Sequence, residues 1–222
     1  MNKIKTWEIW GAIISIIVGS LLHFVFDWSG GNHFVALFAA VNESTWEHLK
    51  MAFWPTFIFN LIEYLSWGSK HKNFCFASLV KLFSMPIIII ALFYGWLALF
   101  PGNFIWDISI FVIAVIVGYT LSYKILSLEK TFGPNILWSL LIVAGLIKFS
   151  LFTYFPPKLF LFEDPDGNYG IVTETILLPD QNGCLNYQIS NCPIDLCNKS
   201  CEPTVNSNAS NCAIGKCVPK KL

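Results

Sequence analysis

The sequence predicts an all-α membrane protein: a bundle of about five transmembrane helices followed by a small disulfide-bearing extracytoplasmic tail. Three observations predict it. Of 222 residues, 55% are hydrophobic and only 13% charged, with a mean hydropathy of +0.59, too apolar for a single water-facing core. The apolar residues fall into runs near the ~20 residues a helix needs to cross roughly 30 Å of hydrocarbon. Finally, the cysteines are uneven: Cys75 stands alone, while Cys184, Cys192, Cys197, Cys201, Cys212 and Cys217 crowd the end of the chain. The formal net charge is +0, so no basic surface points to nucleic acid.

The first run, Trp7 to Trp28, follows a short basic start. It reads as a span rather than a cleaved leader, because it is long, carries Trp7, Trp10, His23 and Asp27, and lacks a small-residue cleavage site directly after it. Gly11, Ser15, Gly19, His23 and Asp27 recur every fourth residue, a ridge that lets another helix approach closely. Four residues overshoot a 3.6-residue turn by about 40°, so Gly11 and Asp27 do not share one face, whereas His23 and Asp27 do. Gly30-Gly31 then marks a turn, and Ser29 to Ala40 is too short to span.

Ser44, with Glu47 three residues on, fits a capping box, so a helix is expected to start near Asn42 to Ser44 and lead into a second span, Met51 to Trp67, kinked by Pro55. Along it His48, Ala52, Thr56, Asn60 and Glu63 form a polar stripe that should face protein, because lipid penalises it. Phe74 to Phe100, with Lys81 able to snorkel and Pro86 inside, is the third span. Phe104 to Ile125 and Asn135 to Phe155 are the fourth and fifth.

With five spans and the N-terminus inside, Lys3, Lys5, Lys70, Lys72, Lys124 and Lys130 fall on one side, against Lys50 and Lys158 near the other. This positive-inside bias places residues 29–50 and everything after Phe155 outside the cytoplasm. There the six late cysteines read as disulfides, with the pairing open, rather than as a zinc site, since paired C-x2-C spacings are missing. The expected domains are residues 1–171, the membrane bundle, and residues 172–222, the tail.

Three stretches, H-F-V-F-D-W-S-G-G-N (His23 to Asn32), V-N-E-S-T-W-E-H-L-K-M-A-F-W-P (Val41 to Pro55) and P-P-K-L-F-L-F-E-D-P-D-G-N-Y-G-I (Pro156 to Ile171), resemble an uncharacterised bacterial integral-membrane family. Its members carry a V-N-E-S-x-W-E-H-L-K block and usually end near a segment like the third. The resemblance covers about residues 1–171 and implies a multi-pass protein of a bacterial plasma membrane. It implies no activity, substrate or cofactor.

Under this topology His23, Asp27, His33, Glu43, Glu47 and His48 gather near one membrane surface, and Asp107, Asp164 and Asp166 reach the same side. His23 and Asp27, at i and i+4, with His48, are the expected ligands of a divalent metal such as zinc. Glu43 and Glu47 are the carboxylates expected to act as general base on a metal-bound water, which would make the protein a hydrolase of a lipid-linked or small substrate. The plainer reading makes these residues structural: Glu47 pairs with Lys50, Glu43 is solvated, and His23 with Asp27 links helices. Glu63 and Lys148, one carboxylate and one amine inside spans, keep a small-solute or proton-coupled transporter open. The bilayer is the one expected partner, and a small molecule or lipid the expected ligand class.

Overall fold

The computed structural model describes residues 3–171, together with the backbone of residues 201–203 and 215–217. The chain divides into two compact units: residues 1–165 with 169–171, and residues 166–168 with 172–222. In the second unit Cys201–Pro203 (β1) pairs antiparallel with Gly215–Cys217 (β2). The cysteine side chains of the tail, and with them the disulfide expectation, lie outside the described residues.

The first unit is helical. Its elements are α1 (Lys3–Trp28), α2 (His33–Ala36), α3 (Thr45–Ser66), a single 3-10 turn (Gly68–Lys70), α4 (Phe74–Leu97), α5 (Phe104–Leu126) and α6 (Asn135–Tyr154). Each predicted span coincides with one long helix to within a few residues at most ends, because apolar run length and turn residues are local signals. Four of them, α1, α4, α5 and α6, are long and apolar enough to cross a membrane. The fifth expected span, α3, is as long at 22 residues but is more polar, carrying Glu47, Lys50 and Glu63.

The polarity of α3 is tolerated because the bundle covers it: Lys50, Thr56 and Glu63 are all buried. It lies antiparallel to α1 in one continuous ladder. Glu8 and Glu63 share Lys81. A Cβ on Gly11 would collide with the Phe59 and Tyr119 rings, Thr56 donates to Ser15 at 3.2 Å, and His23 meets His48 edge to face with ring centroids 5.2 Å apart.

Gly19 occupies the rung between them. Pro55 has no N–H, so the Met51 carbonyl four residues earlier loses its helical donor. That carbonyl is turned against Gly19, where any side chain would overlap it. Small residues on α1 thus admit the backbone of α3.

Aromatic packing closes the end near residue 46. Trp46 stacks on Phe149 at 4.7 Å and lies 4.6 Å from Phe162, while its backbone N–H donates to Leu161 at 2.9 Å. The segment after α6 is thereby held against the start of α3. At the other end Asn73 donates to the Leu128 and Lys130 carbonyls, and Phe76 stacks on Phe132 at 4.7 Å. The helix ends and loops bearing Lys3, Lys5, Lys70, Lys72, Lys124 and Lys130 therefore belong to this one end of the bundle.

Candidate functional site

The start of α3 is built as predicted in one half and differently in the other. Ser44 is its N-cap and accepts from the Glu47 N–H at 3.4 Å. The Glu47 carboxylate does not return to Ser44. It accepts from the Val41 N–H at 3.1 Å and pairs with Lys50 at 2.5 Å. The Ser44 N–H is taken instead by Asn42 Oδ1 at 2.9 Å, and Asn42 Nδ2 donates to the Gly170 carbonyl at 2.8 Å. These bonds fix residues 41–44, and so fix where Glu43 stands.

Glu43, displaced from the buried network, reaches the histidines. Its Oε2 lies 3.7 Å from His23 Nε2 and 3.4 Å from His48 Nε2. One ligand atom from each of the three residues lies within 4.8 Å of the others. A tetrahedral zinc with bonds of about 2.0–2.1 Å spaces its ligand atoms about 3.3 Å apart, close to both measured separations.

The orientation of His48 is set from behind. Its Nδ1 lies 2.8 Å from the Ser44 carbonyl, which can only accept, so Nδ1 carries the hydrogen. Neutral His48 therefore presents the Nε2 lone pair to Glu43, an arrangement of acceptors that only a proton or a cation relieves. With the histidines protonated, the hydrogen bond from His48, followed by the charges of His48 and His23, holds the Glu43 carboxyl below its ordinary range despite partial burial. The site stays open to solvent, Glu43 being 60% exposed and the two histidines about half that.

Asp27 is exposed and falls outside this trio among the described residues. The reason is helical phase: one further four-residue step from His23 turns it about 40° more off the ridge. Glu47 also stands apart, buried against Lys50, with Thr153 3.4 Å from its Oε1. This is the structural arrangement weighed above, and it leaves Glu43 as the carboxylate at the histidines. Asp107, in the first turn of α5, is near enough to His48 for the two to interact electrostatically. Asp164 is half-buried in the segment after α6, and His33 contributes its carbonyl to Tyr154.

A second charged cluster lies toward the opposite end. Lys81 does not snorkel: it is 1% exposed and donates to Glu8 Oε2 and Glu63 Oε2, each at 3.0 Å. Ser122 donates to Glu8 Oε1 at 2.7 Å, and the ammonium lies 4.3 Å above the Tyr119 ring. Glu63 therefore takes Lys81, whereas Lys148 is exposed on α6. Sequence reasoning passed over Glu8, yet it lies three residues before Gly11, on the same ridge, and that spacing was the available signal.

The family described as "Family of unknown function (DUF6512)" matches residues 1–171. No curated protein and no solved structure matches the chain.

Proposed function

We propose, for a chain that belongs to the family of unknown function DUF6512, an integral membrane protein that binds a divalent transition metal through His23, Glu43 and His48. The observation that carries this reading is the convergence of two imidazole nitrogens and one carboxylate oxygen from two separate segments within 4.8 Å. The back-side bond of His48 to the Ser44 carbonyl supports it, since metal-bound histidines are oriented in this way. Two nitrogens and one oxygen suit zinc better than magnesium or calcium.

In this reading α3 is a fifth crossing. Its 22 residues cover about 33 Å, and its ladder with α1 runs from Glu8 to His23. The lysine bias supports a metal site outside the cytoplasm, and the family resemblance supports a bacterial plasma membrane. Three protein ligands leave one position open, and a metal bound there supplies Lewis acidity and an activated water. Glu43 holds the histidines together. A small or lipid-linked ester or amide is the matching substrate class, and the exposure of the site at a bundle end favours it over transport through the bundle.

Elemental analysis of detergent-purified protein, loaded with zinc and then dialysed, tests this. About one equivalent is expected in wild type and in Asp27→Asn, and a loss in His23→Ala and His48→Ala with the melting transition retained. Equal zinc in wild type and His48→Ala would overturn it.

A further inference from the structure

The Glu8–Lys81–Glu63 cluster has an uneven charge count: two carboxylates face one ammonium. All three side chains are buried, at 4%, 1% and 0% exposure respectively. The groups that meet there come from each of the four helices around it. Glu8 is on α1, Glu63 on α3, Lys81 on α4 and Tyr119, with Ser122, on α5. No second cation approaches it among the described contacts, so full ionisation would leave one net negative charge out of water, an arrangement disfavoured strongly enough that the group neutralises instead.

The hydrogen bonds identify which carboxylate carries the excess. Both oxygens of Glu8 are engaged, Oε2 by Lys81 and Oε1 by Ser122. Glu63 is engaged only through Oε2, while its Oε1 is buried without a hydrogen-bond partner. Asn60, one turn earlier on the same face of α3, is 5% exposed, and both ends of its carboxamide are likewise buried and unpartnered. An oxygen that lacks a hydrogen thus sits one turn from an amide that lacks both an acceptor and a donor.

We propose that Glu63 is a proton-binding site: one proton resides on Glu63 Oε1 at neutral pH, with Lys81 charged and Glu8 ionised, and Asn60 is its neighbouring acceptor. The proton comes from water at the lysine-rich end of the bundle, since Glu63 lies within the last turn of α3. Inward from the cluster, Tyr119 OH lies 2.7 Å from Ser15 Oγ, and Thr56 donates to Ser15. This hydroxyl row stops at the Met85 sulfur, 3.7 Å from Thr56. The hydroxyl row therefore does not continue, among the described contacts, to His23 and His48. It is independent of the metal reading.

Infrared difference spectroscopy on full-length protein in detergent at pH 7 tests the charge count, reading the C=O stretch of a protonated carboxylic acid buried from exchange. Wild type is expected to show one such group. Glu63→Gln should show none. Glu8→Gln should also show none, because Glu63 is then the sole counter-ion of Lys81 and ionises. That second loss is not expected of a merely structural Glu63, and it does not require the Glu63 variant to fold. No protonated carboxyl in wild type would overturn the proposal. So would a band that survives Glu8→Gln, or one that appears only when sodium is replaced by choline, which would make sodium the occupant.

Discussion

Replacing Lys50 by methionine should unfold the bundle far more readily than any surface change, because the lysine is the sole cation at Glu47 among the described residues. Lys50 Nζ donates to the Ala36 carbonyl at 2.8 Å and to Thr153 Oγ1 at 2.9 Å, besides its 2.5 Å pair with Glu47. The side chains are 0% and 2% exposed. Methionine keeps the length and removes all three bonds, so the Glu47 carboxylate is left with the Val41 N–H and the Thr153 hydroxyl. Breaking a buried pair from one side costs about 3–5 kcal/mol, a large part of the roughly 5–15 kcal/mol that holds a typical domain. At about 2–4 °C per kcal/mol for a chain of this size, the melting temperature should fall by on the order of 6–20 °C. Thermal unfolding in detergent, followed by tryptophan fluorescence, reads it. The double variant Lys50→Met with Glu47→Gln removes the stranded charge and should recover most of the loss. A single variant that melts within a degree or two of wild type, or a double variant no better than the single, would refute the assignment of Glu47 to structure.

The remaining predictions concern the metal-site end. Because the Glu43 carboxyl is held below its ordinary value by His48 and His23, its contribution to stability is present above the unfolded value of about 4.3 and is lost as pH falls through the lower folded value. Glu43→Gln should therefore lower stability at pH 7, converge with wild type in acid, and so flatten the acid limb of the stability profile below about pH 4.3; an unchanged acid limb, measured by melting temperature against pH, would count against the contact. Gly19→Ala should lower stability by about 1–3 kcal/mol, since a Cβ there meets the Met51 backbone carbonyl. It should also weaken zinc binding without touching a ligand, because Gly19 is one turn from His23. Gly95→Ala, where a Cβ meets nothing within 4 Å, is the control, and equal zinc affinity in the two variants would sink the link between helix spacing and the site.

The capping box at Ser44 shows how far local pattern reaches. Ser44 caps α3 because an oxygen at that position meets a free N–H in any context. Glu47 was free to close the box or to turn inward, and Lys50, Val41 and Thr153 draw it inward. The same holds for Lys81, whose long stem could reach a membrane surface, but which finds two carboxylates inside the protein. The ridge on α1 was legible because its period is that of the helix. That Asp27 stands apart from the site was not legible: one turn from His23, it was expected to share that face and to be a ligand, whereas the described trio takes Glu43.

From sequence alone came the helices, their polar stripes, the crowding of the cysteines and the short list of ionisable residues, all of which depend on neighbours within a turn or two. Tertiary structure alone chose the partners: Glu43 rather than Asp27 or Glu47 beside His23 and His48, and Lys81 rather than Lys148 beside Glu63. The physical reason is that pairing between helices depends on their relative rotation and register. Those are set by which small residues let backbones meet, such as Gly19 against the carbonyl that Pro55 releases, and no count along one helix contains them.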